Sequence, residues 1–246
     1  MLQRALTFRS LIQPIPSPMN CVDSPINTIL KMKLTQTRCN VFLYWGIPCS
    51  GKTTSMQKVT TELQRPSKIF NGVCGDSMYC NFYEQLNVIS KPKHISNLFH
   101  VRANDKNEYP ILVFDDFTYF YGKKDVHAFI NELVWECQYS QNYSAVLVVD
   151  SAEQVVDILE HHPLIEFIGH PGIGKWHASE ITQFINSSLL LNNMPKKQQL
   201  LDLAITAGCV GFFNDVLKRN MCPHYAAAFY SKQWSDGIKT LKPLLV

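Results

Sequence analysis

Five short apolar runs stand out along the chain: Val41–Trp45, Lys68–Val73, Ile111–Phe114, Ala145–Val149 and Leu164–Ile168. All but the second are nearly unbroken runs of branched and aromatic residues, the pattern of strands buried on both faces of a parallel sheet. Between them, Lys52–Gln64, Ser77–Leu86, Val126–Tyr139 and Ala152–His161 space their apolar residues at helical intervals. Strands that alternate with helices need right-handed crossovers, so the pattern predicts an α/β fold: a five-stranded parallel sheet with helices on both faces.

The pattern changes after Ile168. Pro171, Gly172 and Gly174 make a break, and helices then follow without further strands over Ser179–Leu191, Gln198–Ala207 and Phe212–Asn220. Ser179-Glu180 reads as a helix start, and Gly208 and Gly211 separate the second of these helices from the third. One more short helix is expected from Ala226–Tyr230 onward. At the other end, Pro14, Pro16, Pro18 and Pro25 are expected to stop any helix early. The predicted organisation is a partly disordered N-terminal extension over 1–38, an α/β domain over 39–170, and a small all-helical domain with a tail over 171–246.

Composition narrows the class. A hydrophobic fraction of 46% against 17% charged residues supports a real core and argues against wholesale disorder. A net charge of +3 permits contact with nucleic acid without calling for it. Eight cysteines without a C-x-x-C pair read as free thiols in a reducing, intracellular compartment, the cytoplasm or nucleus. No run approaches the roughly 20 apolar residues of a membrane span. The first 22 residues hold no acid and carry Arg4 and Arg9 among apolar groups, which resembles a mitochondrial presequence; the prolines favour a loosely ordered tail instead.

The chemistry concentrates in Gly46-Ile47-Pro48-Cys49-Ser50-Gly51-Lys52-Thr53, which follows a predicted strand and opens a predicted helix. Glycines allow backbone conformations that aim successive N–H groups at one centre, and the helix N-terminus adds partial positive charge. Residues Gly46 to Thr54 are therefore expected to cradle the phosphates of ATP. Lys52 is expected to reach the β- and γ-phosphates, and the Thr53 hydroxyl to ligate Mg2+. The complementary acids, Asp115 and Asp116, emerge at the carboxyl end of Ile111–Phe114, where ligands sit in open α/β sheets. Asp115 is expected to orient the magnesium, and Asp116 to act as general base or to position water.

These two motifs make the chain resemble a P-loop NTPase, with Walker A at Gly46–Thr53 and Walker B at Ile111–Asp116. Their order along the chain is similar to the additional-strand group, in which a strand lies between the phosphate-loop and Walker B strands in space. Five strands followed by a helical lid resemble the AAA+ and STAND-like ATPases over residues 39–220. The resemblance implies an ATPase that couples hydrolysis to remodelling or moving a macromolecule, nucleic acid or protein. It also implies a polar sensor at the end of the fourth strand, where Asp150 or Ser151 stands, and Ser151 joins Lys52 and Asp116 as a catalytic candidate. Either residue could equally cap the following helix. Lys218 or Arg219 matches a basic lid sensor, though a basic last turn also complements the helix dipole. The region that holds a trans-acting arginine in AAA+ rings reads Glu160-His161-His162-Pro163, so no arginine finger is evident and oligomerisation stays open.

Two alternatives follow from the same motifs: a P-loop kinase of a small molecule or polynucleotide, and a slow-turnover nucleotide switch or scaffold. Kinases of this kind clamp the phosphoryl group with several lid arginines, whereas only Arg219 follows Arg102 here. A near copy of the phosphate loop at Gly169–Trp176 has Trp176 where magnesium needs a hydroxyl, and reads as a glycine hinge between sheet and lid. The histidines show no standard zinc spacing, so no metal besides magnesium is expected. The aromatics from Tyr109 to Tyr121 are expected in the core rather than as a base-stacking surface.

Overall fold

A computed structural model describes residues 25–36, 38–71, 77–86, 109–168, 175–187 and 197–244. The five strands are β1 (Val41–Trp45), β2 (Ser67–Phe70), β3 (Ile111–Phe114), β4 (Ser144–Val149) and β5 (Glu166–Ile168). All neighbours run parallel in the order β2-β3-β4-β1-β5. β4 therefore lies between β1 and β3, as the additional-strand resemblance implied. The described helices are α1 (Pro25–Leu34), α2 (Lys52–Leu63), α3 (Met78–Gln85), α4 (Val126–Gln138), α5 (Ala152–His161), α6 (Ala178–Ser187), α7 (Lys197–Ala207), α8 (Gly211–Lys218) and α9 (Pro223–Leu241).

Because successive strand residues point to opposite faces, each strand feeds two cores. Phe42, Tyr44, Val113, Val146 and Val148 face Ile26, Leu30 and Leu34 of α1 and Met56 and Val59 of α2. Leu43, Trp45, Phe114, Leu147 and Val149 face α4, α5 and the C-terminal helices. Phe70 stacks on Phe82 and Phe114 at 5.0 and 4.9 Å, and Phe129 meets Phe82 and Phe114 edge-on at 5.4 and 5.5 Å, which ties α3 and α4 to the β2–β3 edge.

The N-terminal extension needs one correction. Pro25 does not break a helix but opens one, since a first-turn proline has no intrahelical N–H bond to lose and its fixed φ suits the helix. Ile26, Leu30 and Leu34 recur at helical spacing and cover one face of the sheet. Residues 1–24, including the presequence-like stretch, lie outside the described residues.

Smaller differences have local causes. β2 ends at Phe70, short of the expected Val73, and residues 72–76 lie outside the described set. β5 begins at Glu166 rather than Leu164, whose side chain is exposed in the preceding turn. The last helix runs 19 residues instead of a short stretch. Its apolar face, Ala226, Ala227, Tyr230, Trp234 and Leu241, continues past the polar Ser231–Gln233. Gly237 sits in it because the Trp45 ring comes so close that a Cβ would lie 2.5 Å from it. Trp45 also meets Trp234 edge-on at 5.5 Å, so α9 bolts the helical region onto the end of β1. The expected hinge, 169–174, lies outside the described residues.

Candidate functional site

The carboxyl ends of β1, β3 and β4 converge, and the helical region closes the fourth side. From Trp45 the chain turns tightly into α2, with Cys49 and Gly51 both left-handed at φ 60 and 94. At Gly46 the loop folds back so closely that a Cβ would sit 2.9 Å from Ser50 Oγ. Lys52 is 6% exposed. Its Nζ donates to the carbonyls of Gly46 and Ile47, each at 2.9 Å, and pairs with the carboxylate of Asp150.

Thr53 Oγ1 donates to Asp115 Oδ2 at 2.7 Å, joining the loop to the acid at the end of β3. Asp115 is 4% exposed, and its other oxygen, Oδ1, is buried with no hydrogen-bond partner. Burial raises the Asp115 carboxyl above the ordinary range, against the Thr53 hydrogen bond and Lys52, which lower it. Asp116 follows in a left-handed turn at φ 51 and projects outward. Burial first, then the charges of Asp115 and Asp150, raises its carboxyl too.

A cleft of about 310 Å3 lies over these groups. Cys49, Gly51, Lys52, Thr53, Thr54, Asp116 and Asp150 line it from the α/β side, and Val210, Gly211 and Asn214 from the helical side. Gly46 and Ser50 form the buried base of the loop, while Ile47 and Pro48 face a neighbouring depression. Ser151 faces that depression as well and caps α5: its Oγ accepts from Gln154 N at 3.3 Å and donates to Glu153 at 2.7 Å. Of the two residues offered as the polar sensor, it is Asp150 that stands beside Lys52. Arg219 does not line the cleft; its side chain is 67% exposed and pairs with Asp215 one turn back, and Lys218 is exposed. Of the aromatics after β3, Phe117 and Phe120 are buried and Tyr119 alone among 117–121 is exposed.

Sequence reasoning missed the contacts that hold the helical region against the loop. Gly211 N–H and Cys209 Sγ–H both donate to the Cys49 carbonyl, at 3.1 and 3.0 Å. Burial pushes the Cys209 thiol up to about 12, so it keeps the hydrogen it donates. Trp176 Nε1–H donates to the Ser50 carbonyl at 2.8 Å, and its ring lies over Gly51. The glycine break at Gly208 and Gly211 hinted at a tight approach, and Trp176 was visible only as the misfit in the second loop-like segment.

No family model matches the chain, and no curated protein matches it in sequence. Among solved structures, a Walker-type ATPase of Pyrococcus abyssi superposes with a TM-score of 0.56 at 14% identity, over 95% of this chain and 76% of that one. The fold is that of a P-loop NTPase. The strand order and trailing helices match the arrangement that the sequence resemblance implied. Domain III of the Thermotoga maritima replication initiation protein DnaA aligns at a TM-score of 0.49 and 14% identity, over 91% of this chain and 98% of that one. The Thermotoga maritima Holliday junction branch migration motor RuvB aligns at 0.43 and 11%, over 92% and 72%.

The residues fit magnesium with a triphosphate. Mg2+ prefers hard oxygen donors and keeps several waters. The Thr53 hydroxyl and the Asp115 carboxylate, with its unpartnered buried Oδ1, supply that chemistry at the mouth of the phosphate loop. The six described cysteines are all free. Among the described residues no helix is long and apolar enough to cross a membrane.

Proposed function

We propose that the chain binds ATP with Mg2+ in the 46–54 loop and hydrolyses it, and that turnover moves the helical region to remodel or translocate a macromolecule. The observation that carries this reading is the 2.7 Å hydrogen bond from Thr53 to Asp115, which sets the two motifs in one cleft with Lys52. Loop N–H groups and Lys52 hold the phosphates. Lys52 Nζ exchanges the Gly46 and Ile47 carbonyls for phosphate oxygens, and Asp150 remains to hold its ammonium in line. Thr53 and Asp115 hold the magnesium, which when bound offsets charge on the phosphate oxygens. Asp116, exposed at the rim with a raised carboxyl, accepts a proton from the attacking water. The direct bonds from Trp176, Cys209 and Gly211 to the loop supply the mechanical link.

Phosphate release from ATP, measured alone and then with DNA, RNA, unfolded protein or small acceptors, tests the reading. Stimulation by one macromolecule names the client. Lys52→Ala abolishes turnover, and Asp116→Asn stops hydrolysis while sparing binding; intact turnover in Lys52→Ala refutes the assignment. Among the described residues no arginine lines the cleft, which weighs against phosphoryl transfer by a kinase and favours, as second reading, a slow nucleotide switch. Tight binding with negligible release under every condition identifies the switch.

A further inference from the structure

Away from the nucleotide cleft, α4 and α5 bring together residues that are some thirty positions apart. His127 stands in the first turn of α4, and Asp157 and His161 stand one turn apart on α5. Each offers one ligand atom, and these atoms all lie within 4.8 Å of one another. Asp157 Oδ2 lies 3.9 Å from His127 Nε2 and its Oδ1 3.4 Å from His161 Nδ1, which donates to the Asp157 main-chain carbonyl at 2.8 Å and so keeps its lone pair on Nε2. All three side chains are partly open to solvent, so an ion can enter.

The neighbours orient His127. His162 is buried, 4% exposed, and its Nδ1 lies 2.9 Å from the Asn131 side-chain oxygen, an acceptor, so Nδ1 carries the hydrogen. With its hydrogen on Nδ1, a neutral His162 has its lone pair on Nε2. His127 Nδ1 lies 3.0 Å from that Nε2 and must donate to it. Neutral His127 then has no hydrogen on Nε2, the atom that faces Asp157. The lone pair there and the Asp157 carboxylate oxygen face each other at 3.9 Å, a separation that a cation between them can bridge. A histidine whose second nitrogen donates to a fixed acceptor is also the usual arrangement around a metal ligand.

We propose that His127, Asp157 and His161 form a site for a divalent transition metal of the zinc type, which staples α4 to α5. Two imidazoles and one carboxylate suit zinc, with water as fourth ligand. Tetrahedral ligands at about 2.0–2.1 Å lie ~3.4 Å apart, so side-chain rotation closes the remaining gap without moving either helix. The site is separate from the oxygen-donor magnesium site, and the inference does not rest on the nucleotide reading.

The test uses the full chain, stripped with chelator and titrated with Zn2+ against a competing dye. One equivalent is expected to bind, to raise the melting temperature by on the order of 5 °C at saturating zinc, and to survive Lys52→Ala and His224→Ala. Co2+ in place of zinc should give the visible d–d bands of a four-coordinate site. His127→Ala and His161→Ala should each weaken uptake at least about ten-fold. Paramagnetic broadening of the His127 and His161 ring resonances by Co2+ gives the same information in the unmutated chain, should a variant not fold. No stoichiometric uptake, or uptake that persists in both histidine variants, overturns the proposal.

Discussion

Gly211→Ala probes the seam between the helical region and the phosphate loop. A Cβ at 211 would lie 2.5 Å from Cys49 Cβ, 2.8 Å from Tyr230 Oη and 3.2 Å from the Cys49 carbonyl oxygen. None of these can move freely: Cys49 is held at φ 60, and the Tyr230 hydroxyl donates to buried Asp215 at 2.7 Å. Overpacking of this kind costs about 1–3 kcal/mol. Separating the seam also loosens the two hydrogen bonds on the Cys49 carbonyl, each worth ~0.5–1.5 kcal/mol. Alanine offsets at most ~1 kcal/mol through its better helix propensity. The net is about 2 kcal/mol, which for a chain of this size lowers the melting temperature by roughly 4–8 °C. Thermal unfolding followed by circular dichroism reads the loss. The decisive variant is Gly211→Ala combined with Cys49→Gly, which removes the nearest obstacle and suits the left-handed backbone. At least half of the loss should return. An unchanged melting temperature in the single variant, or no recovery in the double, would refute the seam as described.

Other expectations follow from the same structure. Leu30→Ala removes a fully buried side chain of α1 and should cost about 2–5 kcal/mol in denaturant unfolding; a loss below ~0.5 kcal/mol would mean that α1 is not part of the core. Asp116 must be ionised to accept a proton, and its raised carboxyl makes turnover fall on acidification at a pH above the ordinary aspartate value of about 3.9. Asp150→Asn removes one of the charges that raise it, so the acid limb of the rate profile should move to lower pH, and a shift upward contradicts the assignment. Since Asp115 binds its proton more tightly folded than unfolded, its ionisation opposes folding: stability grows as pH falls from above the folded pKa toward the unfolded value of about 3.9. Asp115→Asn should therefore melt higher than the unmutated chain at pH 7 without magnesium, and a lower melting point sinks that reasoning. Ser151→Ala should cost roughly 1 kcal/mol of stability as a lost helix cap and leave turnover per folded molecule unchanged; a large fall in rate would return Ser151 to the catalytic set.

Local patterns carried most of the fold. The strands β1, β3 and β4 are buried on both faces, so their apolar runs are unbroken and mark their own limits, and α5 is bounded by a serine cap that the sequence displays. The ends of the sheet were less legible because β2 and β5 are edge strands, only part-buried, and hold Lys68 and Glu166. α1 was hidden by reading Pro25 as a breaker when its position in the helix decides its effect. At the site, the spacing of the phosphate loop and the acids after β3 were enough to anticipate Lys52, Thr53, Asp115 and Asp116 in one cluster. Which residue after β4 faces Lys52 depends on the turn of the backbone at 150–151, and no spacing rule separates Asp150 from Ser151. Cys209 and Trp176 reach the loop through tertiary packing, Cys209 from 160 residues downstream, so they left no mark on the motif itself. His127 with Asp157 and His161 is the same case: ligands on two helices make no sequence spacing.

The bonds from Gly211, Cys209 and Trp176 end on main-chain carbonyls of Cys49 and Ser50 rather than on side chains. The acceptors therefore persist whatever residues occupy those two positions, and they move whenever the loop changes shape. A ligand that reshapes the loop is thus felt by the helical region without any dedicated side-chain relay. Linkage makes this two-way: a client that pulls the helical region off the loop must alter nucleotide affinity by the same factor by which nucleotide alters the client's.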